Sequence, residues 1–581
     1  MKRIIPLVYT LLFLLPAGHV NGQQQESWVE LHGSSVSSFD FASATFPGSL
    51  LPANYFRQAL NLELKVAGLP LGFSLFYATG NQKNLQGMNA VTLRFDYSRM
   101  LSALIRDTLS RFHHLQRRLR WIVTLEAGDC NPVYSPLILA GVSVRGVNIA
   151  INPGPVYAAF TYGQTNRVLS GFGPYKEPYR RYLWMAKTGF GKVERSHFYL
   201  SLMHAWDRPD SSLEQSFLFP RPADTLIQGY DTIIILPDTA QLKITPAENW
   251  ITGAELALTF WKQRIRFEAE ATASFFTPDM EAPVPEADND ALKFFSFLNP
   301  RLGSHADWAC RSTLSVNLSN IKIKGSYTRT GPGYQTMGSP FLRKNNQTIE
   351  GKIQGTLIKK ILTYSVFGKH IRRDPEGHDT RRFRSLLCGG NLTIRVKKWP
   401  VFTIQAMPSW QTSRNTVHPV TYRSLITGLS SSYPWRILQV NCLTSVSFTY
   451  INNQMRRDED RELSTSVSIG LNQSLSIMRY FNSRFYVSWT GEEKPSGLTK
   501  LITTGFDLQA SPTSWFSATA GCNYLTQNPT REVLTLTCSL GFRPVQWLSL
   551  DGIIAYHSPS GEMQLGQLPT WSGRLAATIS F

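Results

Sequence analysis

The stretch Arg264-Ile265-Arg266-Phe267-Glu268-Ala269-Glu270-Ala271-Thr272-Ala273-Ser274-Phe275 carries the pattern on which the fold turns. Its charged and hydroxyl side chains share one parity, and its apolar side chains share the other. Successive side chains of an extended strand point to opposite faces. Period two held over this many residues therefore predicts a long strand with one wet and one apolar face. The pattern recurs toward the C-terminus. Leu534, Leu536, Cys538, Leu540 and Phe542 oppose Thr535, Thr537, Ser539 and Gly541, and Leu548, Leu550, Gly552, Ile554 and Tyr556 oppose Trp547, Ser549, Asp551 and His557.

Composition agrees. The 581 residues are 42% hydrophobic, 12% aromatic and 17% charged, against about 25% charged in an average soluble domain. A disordered chain or a coiled coil would carry more charge and fewer aromatics. Mean hydropathy is −0.16, and no apolar run of about 20 residues follows the N-terminus, which excludes a bundle of membrane helices. At the N-terminus, Lys2 and Arg3 precede an apolar run from Ile4 to Leu15, and Val20-Asn21-Gly22 suits a cleavage site. Residues 1–22 are read as a signal peptide. Its removal takes Lys2 and Arg3 and lowers the formal charge from +19 to +17. The six cysteines contain no C-x-x-C, so no metal site is expected. Cys522 and Cys538 flank the Asn528-Pro529-Thr530 turn; two small apolar residues on one face, or a disulfide, both fit.

A large soluble β-sandwich or propeller is the alternative to a membrane barrel. Against it, the strands run to about ten residues where soluble strands average five or six, and short connections alternate with long ones, as in outer-membrane barrels. The chain also ends in an alternating strand closed by Phe581, a membrane-assembly signal of the kind read by the barrel assembly machinery. The expected fold is all-β: a single large antiparallel transmembrane β-barrel over residues 23–581, with an even strand count of about 22–26. Extracellular inserts are placed at 207–249, 277–309 and 330–347, and the address is the outer membrane of a Gram-negative cell. Short turns are expected near Trp261-Lys262, Ser319-Asn320, Lys397-Lys398-Trp399-Pro400, Tyr433-Pro434-Trp435 and Arg543-Pro544, among others.

Four stretches occur in order: Leu69-Pro70-Leu71 to Phe95-Asp96; Asn152-Pro153-Gly154 with Tyr157 and Tyr162-Gly163; Pro246-Ala247-Glu248-Asn249-Trp250; and Gly331-Pro332-Gly333-Tyr334 with Met337-Gly338. In these the chain resembles a family of large Bacteroidota-type outer-membrane β-barrels. The resemblance runs over roughly 27–581 and implies a barrel and an outer-membrane address, without an activity. The chain departs from the pattern at Ser339-Pro340-Phe341 and in residues 99–118.

Residues 99–118 break period two. Leu101, Leu104, Ile105, Leu109, Phe112 and Leu115 follow helical spacing between Arg99, Arg106, Arg111, Arg117 and Arg118, predicting a short basic amphipathic helical insertion on the rim, the inner leaflet or a plug. Asp107, His113 and His114 lack a nucleophile with a spaced base, so no enzyme is expected. His370 and His378 border an Arg-rich loop that suits solvent or lipopolysaccharide better than a metal. Lys262, Arg264, Arg266, Glu268, Glu270, Lys322, Lys324, Lys352 and Arg395 are the candidate lumen-lining residues. A basic wall in a confined aqueous space focuses its field on anions; an ion-pair network bracing the barrel is the alternative. Nucleic acid is not an expected partner, because the basic residues lie on separate strands. No cofactor is expected. Too few residues precede the first strand for the plug of a TonB-dependent receptor. Two functions remain: a porin-like channel or translocation pore for polar or anionic solutes, or a structural barrel engaging a surface-assembly or secretion partner.

Overall fold

The computed structural model describes residues 29–42, 54–66, 69–79, 90–96, 121–166, 179–192, 195–208, 217–220, 224–228, 231–235, 239–242, 245–285, 298–358, 361–374, 382–414, 419–457, 460–477, 480–495, 497–528, 531–560 and 570–580. Every regular element among them is a β-strand, and 26 strands belong to one antiparallel sheet. Neighbours in sequence are neighbours in space, from β1 (Val29–Ala42) and β2 (Asn54–Val66) to β9 (His197–Arg208), and from β14 (Glu248–Phe260) to β30 (Thr570–Ser580). β9 pairs with β14. β1 pairs with β2 on one side and β30 on the other, so the run of pairings returns to its start and each of these 26 strands pairs with a neighbour on both sides. Between β9 and β14, β10 (Phe217–Pro220) pairs with β13 (Thr239–Leu242) and β11 (Asp224–Gln228) with β12 (Asp231–Ile235), two small sheets inside the first insert. The signal peptide, the 99–118 insertion and Phe581 lie outside the described residues.

Register carries the period-two pattern around the sheet. In β15 (Ile265–Thr277), Phe267, Ala269 and Ala271 stand opposite Leu258, Leu256 and Ala254 of β14, while Arg266, Glu268 and Glu270 lie on the other face. The outer face is apolar and open: Phe198, Leu200, Leu202, Leu314 and Ile349 are all exposed. Every described tryptophan sits toward a strand end. Trp121, Trp261, Trp399, Trp435, Trp515 and Trp547 stand in or beside the short turns; Trp184, Trp206, Trp250, Trp308, Trp410, Trp489 and Trp571 stand in the strand halves at the opposite end, where most connections are longer. From Trp250 to Trp261, and from Trp399 to Trp410, the chain advances eleven residues, roughly 28 Å of height at about 3.3 Å per residue and about 40° of tilt.

The hydrophobic core lies on the inner face. Two loops from the long-loop end fold onto it: residues 131–143, between β5 (Ile122–Cys130) and β6 (Val144–Ile151), and residues 331–345, between β17 (Ile321–Thr330) and β18 (Asn346–Leu357). Leu137, Ile138 and Leu139 of the first loop and Tyr334 and Met337 of the second pack on wall residues Leu183, Met185, Met203, Ala205, Ile251, Phe276 and Ala309. These wall positions are apolar on both faces because protein covers the inner one. The inward course of 131–143 is a feature that sequence periodicity did not reveal.

Other expectations are adjusted. The turn expected at Tyr433-Pro434-Trp435 comes later, at residues 438–439; Pro434 sits within β22 (Val420–Ile437), paired with Leu443. On its other side β21 (Val401–Arg414) reaches only to Ser432, so Pro434 lies on a locally unpaired edge, where proline is tolerated. Arg543-Pro544 likewise lies within a strand, Arg531–Val545. All six cysteines are free. Cys538 faces Ala520 and Cys522 faces Leu536, an offset of two residues on one outer face.

Candidate lumen site

The inner loops are held by buried polar groups. Asn249, fully buried, donates from Nδ2 to Ser274 Oγ at 3.0 Å and to the carbonyls of Phe275 and Gln335 at 3.2 Å, and its Oδ1 accepts from the Met337 amide at 3.1 Å. The Tyr334 hydroxyl donates to the Leu137 carbonyl at 2.7 Å and accepts from Thr272 at 2.9 Å. Thr336 donates to the Ile138 carbonyl at 2.7 Å, and the Ala140 amide to Gly338 O at 3.0 Å. The Tyr134 hydroxyl shares a 2.8 Å hydrogen bond with Thr161. Burial raises the pKa of both phenols, Tyr134 and Tyr334, above the ordinary value. At the long-loop mouth a cavity of about 400 Å³ is lined by Tyr179, Arg181, Asp207, Tyr334 and Lys344, among others. Arg181 and Asp207 form a two-pronged ion pair at 2.8 and 3.0 Å, and burial lowers the Lys344 pKa.

Below the loops, charge on the inner wall is paired. Lys187 lies 2.5 Å from Glu255, whose other oxygen accepts from His197 Nε2 at 3.0 Å. His197 stacks on Tyr199 with centroids 4.3 Å apart. Glu255 stands opposite Glu270 in register, and Glu270 opposite Arg311 of β16 (His305–Asn317).

Nearer the short turns the balance changes. One row across the wall runs Arg266, Ser315, Lys324, Lys352, Phe367, and the row below it runs Asn317, Lys322, Gln354. Arg266 bonds Glu268 at 2.6 Å, and Lys369 of β19 (Leu362–Arg373) pairs with Glu350. Lys322, Lys324 and Lys352 are exposed on the inner face, and among the described residues no carboxylate lies within ion-pair distance of them.

The structure thus places Arg266, Glu268, Glu270, Lys322, Lys324 and Lys352 on one inner face across three strands. It separates the other candidates. Lys262 and Arg264 belong to the 261–264 turn, where Trp261, Lys262 and Gln263 all have positive φ, and the Arg264 guanidinium lies 5.4 Å above the Trp261 ring. Arg395 follows the end of β20 (Arg382–Ile394). Sequence reasoning missed Lys187, His197, Asn249 and Glu255. Lys187 carries a visible signal, a cation on the same face as Leu183 and Met185 in β8 (Arg180–Gly191).

No protein-family model and no curated protein matches this chain. Among solved structures, it is similar to the P pilus usher (PapC) translocation pore at 9% identity over 95% of this chain and 99% of that one, with a TM-score of 0.26. The siderophore receptor PirA from Pseudomonas aeruginosa is similar at 8% identity over 95% and 80%, with a TM-score of 0.40. The outer membrane protein opdK from Pseudomonas aeruginosa is similar at 9% identity over 58% and 93%, with a TM-score of 0.28. Similarity of this size leaves function to the chain's own geometry.

Proposed function

We propose that the chain, once its signal peptide is removed, forms an outer-membrane β-barrel whose aqueous lumen passes polar solutes with a preference for anions. The outward apolar face supports the membrane address. So do the two tryptophan belts, whose separation matches an apolar band of about 25 Å with aromatic girdles at both edges. The observation that carries the anion preference is the run of Lys322, Lys324 and Lys352, which no carboxylate among the described residues pairs, while Arg266 and Lys369 near it are paired. In a low-dielectric wall such a run raises the local concentration of anions.

The inner loops favour a second reading, a structural or interaction barrel that engages a surface or periplasmic partner, because lumen protein obstructs passage. Size argues for the first. Twenty-six strands at about 4.8 Å spacing and about 40° tilt enclose a ring about 50 Å across. β6 and β23 (Val440–Arg457) are thirteen pairings apart either way round, and the two loops rest on the β6 side. Lipid, lipopolysaccharide and, during biogenesis, the barrel assembly machinery are the partners this reading entails, and it assigns no catalysis.

Planar-bilayer recording of the refolded protein tests it. The expected result is steady conductance with anion preference, shifted toward cations by K324E/K352E. Sealed bilayers with folded protein present would overturn the channel in favour of the interaction barrel.

A further inference from the structure

We infer that Lys322, Lys324 and Lys352 form a binding site for a multivalent oxyanion at the short-turn mouth of the lumen. The inference rests on the reading of that lumen as aqueous. Lys324 and Lys352 stand directly opposite each other on β17 and β18, which sets their Cβ atoms about 5 Å apart. Lys322 is two residues along the same face, about 7 Å from Lys324. Like charges placed directly across a strand pair repel, and among the described residues no carboxylate pairs with either lysine. The nearest carboxylates are engaged: Glu350 by Lys369 and Glu268 by Arg266. The other groups in these rows are Arg266, Ser315, Phe367, Asn317 and Gln354, none of which adds negative charge.

This spacing discriminates among anions. Three flexible ammonium groups can converge on one ligand, since each four-carbon stem reaches several ångström. A monovalent anion neutralises one of them and leaves the other two repelling. A ligand with two or more anionic groups a few ångström apart, such as a chain of phosphoryl groups, neutralises the set together. The adjacent turn Trp261-Lys262-Gln263-Arg264 and the turn Arg395-Val396-Lys397-Lys398 contain no acid, so the field at this mouth draws such a ligand inward.

Calorimetry on the detergent-solubilised full chain tests the site with inorganic tripolyphosphate and orthophosphate at about 0.1 M salt, where surface charges are screened beyond about 10 Å. The site predicts tripolyphosphate binding at least tenfold tighter than orthophosphate. K324Q/K352Q should weaken it tenfold or more. K397Q/K398Q, at the rim, should change it less than twofold. Heat-modifiable migration on gels verifies that each variant holds its barrel. Equal affinity for the two anions, or equal losses from the lumen and rim variants, would overturn the site. Its failure is separable from failure of the channel. A barrel that conducts anions but does not bind tripolyphosphate retires this inference alone, and one that binds it but seals a bilayer retires only the channel.

Discussion

Asn249 shows how one side chain can hold a loop in a lumen. It is fully buried and uses both ends of its amide: Nδ2 reaches the wall and the Gln335 carbonyl, and Oδ1 takes the Met337 amide. Asn249→Ala strands these partners in a dry contact, and each unsatisfied buried group costs about 1–3 kcal/mol. The expected outcome is release of residues 331–345, read as new cleavage there in limited proteolysis while the barrel itself stays resistant. Gly338 is constrained by space: a Cβ there would lie 2.5 Å from Ile138 O and 2.8 Å from Met203 Sδ. Tyr334 and Tyr134 add a pH dependence. Burial raises their folded pKa values, while the undocked phenols ionise near 10. The docked state therefore holds more protons above pH 10, so docking is at full strength below that value and weakens as pH rises past it. Proteolytic protection of 331–345 should hold up to about pH 10 and fall as pH rises above it in the wild type, and less so in Tyr334→Phe; a flat profile above about pH 10 in the wild type would show that these phenols do not contribute.

The unit of this fold is the two-faced strand, and the face decides what a substitution does. In β15, Phe267 is outward and Glu268 inward. Phe267→Arg places a charge on the lipid-facing side between the short-turn tryptophan belt and the bilayer midplane, at a cost of about 1–3 kcal/mol, since the penalty falls from about 2–4 kcal/mol at the midplane to about 0–1 kcal/mol near the interface. The inner wall formed by β22, β23 and β24 (Asp460–Ile477) is rich in serine: Ser430 faces Ser447, and Ser432 faces Ser445. Ser445→Arg there should shift stability by no more than about 0.5 kcal/mol. Folding titrations in urea into lipid vesicles separate the two, and equal penalties would contradict the assignment of faces. This level was legible in the sequence, because parity alone places Arg266, Glu268, Lys324 and Lys352 on one face. The turn residues Lys262 and Arg264 were not: where a strand ends depends on its neighbour, and β15 begins only at Ile265.

At the scale of the molecule, the two ends differ in where acids occur. The described short turns 261–264 and 395–400 carry lysine and arginine without an acid, whereas Asp279, Glu281 and Asp374 stand at the long-loop end. The outer-membrane reading assigns the short turns to the periplasm, as in barrels with short periplasmic turns and longer external loops. An epitope inserted within 415–418 should therefore be labelled on intact cells, and one inserted at Lys397-Lys398 only after permeabilisation. The reverse pattern would reject this orientation.

By itself the sequence determined the strands, their two faces and the parity of the charged wall, because each rests on a local period of two that a short window contains. It also displayed Pro246–Trp250 and Gly331–Gly338 without showing that they meet. Only the tertiary structure decided that these stretches, together with 131–143, build the core inside the ring. Tyr334 and Leu137 are 197 residues apart, and Pro136-Leu137-Ile138-Leu139 is a short apolar run whose burial has no local cause. The same is true of the site. Parity brings Lys324 and Lys352 to one face, but only register stands them opposite each other, and only the neighbouring pairs Arg266–Glu268 and Lys369–Glu350 leave them without an acid.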